Sequence, residues 1–242
     1  MSLSWPGTTC SLKHCTSLGL PNYFEIHGLW PDGKMNCKKV HWKENELSQA
    51  NHFDIPKYWN WMYNSEMGFI NHELAKHGSC WDPSEADLNK APKNISKLIS
   101  SSDTSSFHAI LNTYLQVPIT WSKDNNLFQI LANQGITPTF GTVSTQEVIS
   151  AFENHFKVKN SIFPVCISKK NKKHYFSEIR FCLDKNYQLV SCDPRTVTNH
   201  INSCTKQMLY PEFPSLNQHY HCLLYTSPSP RDLSTSRMPS SA

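Results

Sequence analysis

No run of eighteen apolar residues occurs in these 242 residues, so no helix of this chain is expected to cross a membrane. No basic-then-apolar leader opens it; the chain starts Met-Ser-Leu-Ser-Trp-Pro. No Cys-x-x-Cys units are paired in the manner of a zinc site. A large charge excess is also missing: the formal net charge is +4 and the sequence pI about 8.5. So mild a balance is compatible with an anionic partner such as RNA, but does not identify one.

What is there is ordinary globular material with many cysteines. Hydrophobic content is 38%, with seven Trp, enough to bury the core of one domain. Nine cysteines point to an oxidising compartment, so the chain reads as a mature form or fragment of a secreted protein. Asn94-Ile95-Ser96 is the only N-x-S/T sequon and marks Asn94 as a glycosylation site on a surface loop.

The chemistry-bearing stretch is His72-Glu-Leu-Ala-Lys-His77, followed by Gly78-Ser79-Cys80. On a helix, with His72 at 0°, Lys76 falls near roughly 40°, Glu73 near 100° and His77 near 140°. Four ionisable groups then share one side, while Leu74 and Ala75 turn away. Gly78 is a stop signal. Such a face is a solvated polar surface, a zinc site, or an acid–base centre that also holds an anion. Zinc is disfavoured because the i, i+5 spacing splays the imidazoles by roughly 140°, unlike the i, i+4 zincin pattern.

An acid–base centre needs a second proton-transfer group, and Tyr23-Phe-Glu-Ile-His27-Gly-Leu-Trp30-Pro-Asp32 offers one. Phe24 and Ile26 alternate with Glu25 and His27 as in a half-buried strand, so His27 projects from the face opposite Ile26. The two stretches together, F-E-I-H-G-L-W-P and H-E-L-A-K-H-G-S-C, resemble the active-site segments of the ribonuclease T2 family. That family's pattern is F-T-I-H-G-L-W-P and H-E-W-x-K-H-G-T-C. The departures are Glu25 for Thr, Leu74 for Trp and Ser79 for Thr; none removes an ionisable group of the pair.

Along the chain, Leu3–Trp5 reads as a strand end stopped by Pro6-Gly7. Pro56 is expected to open a short aromatic helix over Lys57–Tyr63. A central helix is expected over Glu66–Cys80. Residues 82 to 106 read as a Ser-rich loop with one poor helix. Phe107, Ile110, Leu111, Tyr114 and Leu115 mark an amphipathic helix; Leu127, Ile130 and Leu131 mark another, ending at Gly135. Ser144-Thr-Gln-Glu147 is a capping box before a helix with Val148, Ile149 and Phe152 inward. Strands are expected over Phe163–Ser168, His174–Leu183 and Tyr187–Cys192, the first two joined by the basic turn Lys169–Lys173. Residues 222 to 242 are Ser/Pro-rich without periodicity and are expected to be a disordered, non-native tail; residues 1 to 221 form the expected domain.

Setting Cys222 aside with the tail leaves eight cysteines, and 105 pairings are possible. The resemblance implies Cys10–Cys15, Cys37–Cys80, Cys166–Cys204 and Cys182–Cys192. It implies an α+β fold, a twisted antiparallel sheet with helices on one side. It implies a two-histidine cleavage of single-stranded RNA through a 2′,3′-cyclic phosphate, without metal or cofactor. In that scheme His77 is the base, His27 the acid, His72 and Lys76 hold the phosphate, and Glu73 orients a neighbouring histidine or assists the charge shift. Trp30 packs on His27, and Phe69 stacks on a base. A secreted monomer is expected, with no DNA or membrane partner. In biology it is a pistil self-incompatibility ribonuclease, a defence or phosphate-scavenging enzyme, or a weakly active binding or storage protein.

Overall fold

A computed structural model describes residues 1–31, 34–40, 42–60, 62, 66–139, 141–168, 173–194 and 203–213. The elements, in chain order, are β1 (Ser2–Ser4), α1 (Pro6–Leu12), β2 (Glu25–Gly28), α2 (Gln49–Tyr58), α3 (Glu66–Lys76), α4 (Lys93–Ser101), α5 (Phe107–Asp124), α6 (Leu127–Ala132), β3 (Thr142–Ser144), α7 (Thr145–Phe156), β4 (Ile162–Ser168), β5 (His174–Phe181) and β6 (Gln207–Leu209). The fold is α+β, as the resemblance implies. One sheet of six strands follows the path β2-β1-β5-β6-β3, and β4 pairs with β5. Every pairing is antiparallel except one parallel bridge, Tyr175 with Leu209.

β5 organises this sheet. β4 runs along one of its edges from Ile162↔Phe181 to Ser168↔His174. β1 takes the other edge at Ser2↔Arg180, Leu3↔Ile179 and Ser4↔Glu178, and β2 lies beyond β1. The β1–β2 register slips by one between Ser2↔Gly28 and Leu3↔Ile26. His27 therefore has no residue opposite it in β1: it is the extra residue of a bulge, which re-aims a side chain.

Strand alternation puts Leu3, Ile26 and Ile179 side by side and fully buried, the apolar face that the helices cover. Ile55 of α2, Ile70 and Leu74 of α3, Leu111, Tyr114 and Leu115 of α5, and Val148 and Phe152 of α7 complete one core cluster. Ser48, Ser106, Asn126 and Ser144 cap α2, α5, α6 and α7 by accepting a backbone N–H in the first turn.

Several expectations are corrected. Pro6 does not merely stop a strand; it opens α1 at the first helical position, where its missing N–H costs nothing. The second helix begins before Pro56 and contains it: Ser48 caps its start at Gln49 and it ends at Tyr58. α3 stops at Lys76, and Gly78–Cys80 continues as a 3₁₀ turn. No strand forms over Tyr187–Cys192. Asp184 Oδ1 instead accepts from the backbone of Asn186 and Gln188 at 2.8 and 2.9 Å, and Tyr187 adopts φ 62°. A turn results, with a lone bridge between Leu183 and Leu189. Short strands β3 and β6 have too little sequence pattern to be anticipated. Lys169 to Lys172 and the 222–242 tail lie outside the described residues.

All four disulfides have the pairing the resemblance implies. Cys37–Cys80, separated by 43 residues, joins the loop after β2 to the turn after α3. Two hydrogen bonds run beside it: Asn36 N–H donates to Lys76 O at 2.8 Å, and Cys37 N–H donates to the Ser79 side chain, Oγ, at 3.1 Å. Replacing both cysteines with Ala is expected to cost about 3–4 kcal/mol in the chain-entropy model, read as a lower urea midpoint than the oxidised parent.

Candidate active site

Two aromatic donors fix the end of β2. Trp59 Nε1 donates to His27 O at 3.2 Å, and Tyr114 Oη donates to Leu29 O at 2.5 Å. Trp59 and Tyr114 are themselves fully buried, so the backbone on both sides of Gly28 is pinned by the core.

Trp30 follows, and its indole gathers the site. Nε1 donates to Glu73 Oε2 at 2.9 Å. The ring lies 5.0 Å from the His27 ring, edge-on, and 5.5 Å from the His77 ring. Arg180 Cζ sits 5.1 Å from the same ring. An early strand and the end of a mid-chain helix therefore place their imidazoles against one side chain. Gly28 makes this possible: a Cβ there would lie 2.2 Å from Glu73 Oε2 and 2.3 Å from Trp30 Nε1.

The expected site residues mostly come together. Phe69 packs 5.9 Å from His27 and is only 8% exposed, so little of its face is open to a base. Glu73 is buried, and burial raises its carboxyl above the usual range despite the Trp30 hydrogen bond. Among the described residues its carboxylate accepts from the indole rather than from a histidine. Lys76 is half-buried and His72 exposed; the charges of both act on His77. Asn94 stands apart, exposed in the first turn of α4, with Nδ2 donating to both Asp124 oxygens at 2.8 and 2.9 Å.

The two imidazoles differ electrostatically. His77 Nδ1 is buried with no hydrogen-bond partner among the described residues. Burial, with the charges of Lys76, His72 and His27, pushes this ring down from 6.5 to about 4. His27 Nδ1 lies 2.8 Å from Glu178 Oε1. Burial alone would raise Glu178, but the His27 hydrogen bond and charge, with those of Arg180, hold it at about 2.

Glu178 and Arg180 were not anticipated. They sit at i and i+2 of β5, on one face of the strand, and that opposite-charge pair was the available signal. A cavity of about 460 Å³ opens where Trp30, Lys34, His77 and Arg180 meet.

This α+β frame, with two imidazoles in unlike surroundings on one indole and cations beside them, has the chemistry to exchange protons with a bound anion. The chain belongs to the Ribonuclease T2 family, whose model matches residues 1–192, and it is an endoribonuclease. It is 26% identical to Ribonuclease T2 of Danio rerio over 191 residues, 78% of this chain and 70% of that one. It is 27% identical to Ribonuclease Oy of Magallana gigas over 221 residues, 86% and 92% of the two chains. The crystal structure of the self-incompatibility associated SF11-RNase of Nicotiana alata shares the fold, with TM-score 0.64 at 20% identity over 87% of this chain and 96% of that one.

Gly28→Ala is expected to lose about 1–3 kcal/mol through overpacking and to separate Trp30 from Glu73. Denaturant unfolding and Trp fluorescence check this; an unperturbed variant would show that the close approach at Gly28 is not required.

Proposed function

We propose that this endoribonuclease is secreted, needs no metal, and cleaves single-stranded RNA by transphosphorylation between two histidines. The observation that carries the reading is the pairing of His77, without an acceptor for Nδ1 among the described residues, and His27, whose Nδ1 meets a carboxylate, on the indole of Trp30.

A protonated imidazole has two N–H donors to satisfy. At His77 one of them would be buried and unpaired, which favours the neutral ring, a base. At His27 the carboxylate supports the charged ring, an acid. His77 takes the proton of the ribose 2′-hydroxyl. The 2′-oxygen attacks phosphorus, the bond from phosphorus to the 5′-oxygen breaks, and His27 gives that oxygen its proton. Lys76 and His72 stabilise the negative charge that builds on the phosphorane. Glu73 acts through Trp30, fixing the indole between the rings. The product is a 2′,3′-cyclic phosphate, hydrolysed slowly to a 3′-phosphate. DNA has no 2′-hydroxyl and is not a substrate.

Four disulfides support secretion, and the exposed Asn94 sequon supports glycosylation there. The net charge of +4 favours a pistil setting over a defence or phosphate-scavenging one. Immunodetection in styles, and not in other tissues, is the expected outcome; abundance in leaf or root instead would remove the pistil reading.

RNA incubated with the protein in EDTA is expected to yield cyclic-phosphate ends, while DNA stays intact. Cleavage that needs added zinc would overturn the metal-independent mechanism. His77→Phe should lower the rate about 10²–10⁴-fold while the protein stays folded. The folded pKa of His77 lies below its unfolded value, so the neutral ring is favoured by folding, and its stabilisation fades as pH falls from 6.5 toward 4. The acidic limb of kcat/KM is expected near pH 4; a limb near 6.5 would contradict the assignment of His77 as base.

A further inference from the structure

Three features converge behind the general acid. First, Glu178 presents Oε1 to His27 Nδ1 at 2.8 Å. Second, its other oxygen is held in place: Oε2 accepts from Arg180 Nε at 3.1 Å, Arg180 Nη2 at 2.8 Å and Ser2 Oγ at 3.0 Å. Third, the backbone delivers both partners. β1 pairs directly with β5 at Ser4↔Glu178 and with β2 at Ser4↔Glu25, and the bulge falls at His27. Glu178 is largely enclosed, its side chain 14% exposed, so the contact is shielded from solvent and less screened by salt.

We propose, on the basis of the acid role assigned to His27 above, that Glu178 is a positioning residue of the cleavage reaction. By engaging Nδ1 it selects the tautomer and turns Nε2 toward the departing 5′-oxygen. Arg180 and Ser2 keep the carboxylate from swinging away. The proton that reaches the 5′-oxygen leaves from Nε2, and the ring stays neutral with its Nδ1–H still on Glu178. Glu178 neither gains nor loses a proton. Among the described residues, the charged and titratable groups around His27 include Glu178 and Arg180 from β5, and Glu73 and His77 from the α3 segment. Glu73 is committed to Trp30 and burial favours its neutral form, so Glu178 is the carboxylate that supports a charged His27.

The test compares two substrates in wild type and Glu178→Gln. A diribonucleoside monophosphate leaves as a poor alkoxide that must be protonated. A uridine 3′-(4-nitrophenyl) phosphate leaves as a stable phenolate that needs no acid. Glu178→Gln is expected to lower kcat on the dinucleotide about 10- to 100-fold, with KM within about twofold, and to leave the aryl ester nearly unaffected. The alkaline limb on the dinucleotide should move to lower pH, because the carboxylate that favours the charged ring is gone. Equal loss on both substrates, or an unmoved limb, would reduce Glu178 to a structural role.

An independent readout comes from ¹⁵N imidazole spectra of wild type, with His27 assigned by its absence in His27→Phe. A hydrogen-bonded Nδ1–H and a bare Nε2 in the neutral ring support the proposal; the reverse tautomer overturns it, including where Glu178→Gln does not fold. Should wild type cut neither substrate in EDTA, the mechanism above fails, while the spectrum still decides the Glu178–His27 contact.

Discussion

The hydrogen bond from Trp30 Nε1 to Glu73 Oε2, 2.9 Å long, is the constraint on which the site depends. It joins a loop leaving the sheet to a helix 43 residues later, across a glycine that leaves no room for a side chain. Such a hydrogen bond contributes about 0.5–1.5 kcal/mol net, and stranding the buried carboxyl without a donor costs about 1–3 kcal/mol. The indole is therefore held in orientation as well as in place, and the His27 and His77 imidazoles and Arg180 pack on it. The Cys37–Cys80 bridge fixes the same two segments farther out, so the site is closed by a covalent link outside and a hydrogen bond inside.

The three departures from the family pattern find local explanations. Glu25, in place of Thr, is buried with its carboxylate accepting from Gly19 N–H and Asn60 N–H, each at 3.1 Å. It ties the loop after α1 and the end of α2 to β2, and so braces the strand that carries His27. Ser79, in place of Thr, keeps the hydroxyl that matters: Oγ donates to Ala75 O at 2.7 Å and accepts from Cys37 N–H. Leu74, in place of Trp, is fully buried in the core cluster, so α3 retains an apolar anchor on the side away from the cleft.

Much of this was legible in the chain because local rules applied. The N-cap at Ser144 lies where a helix starts, and α5, over Phe107–Asp124, carries the expected apolar spacing. The pair of segments around His27 and His77 was legible through resemblance, since no periodicity brings residues fifty positions apart together. What was missed depends on pairing between distant strands. The bulge at His27 exists only in the register of β1 against β2, and Glu178 reaches His27 only because β1 lies between their strands. The turn at Asp184 replaced an expected strand because one carboxylate captured two backbone N–H groups, a competition that apolar alternation does not register.

The division of labour proposed for the imidazoles rests on the unlike surroundings of their Nδ1 atoms. Both rings contact the same indole, so that contact does not distinguish them. At His27 the second nitrogen meets an ionised carboxylate whose other oxygen is clamped by a guanidinium. At His77 it meets nothing among the described residues, and burial opposes charge there. A reaction that removes a proton from one oxygen and delivers one to another needs such inequality before substrate arrives, because two equivalent imidazoles would populate the productive pair of protonation states no more often than its reverse. The fold creates the inequality at small structural cost: one bulge in β2 aims a ring at β5, and one early helix end at Lys76 lets His77 turn inward.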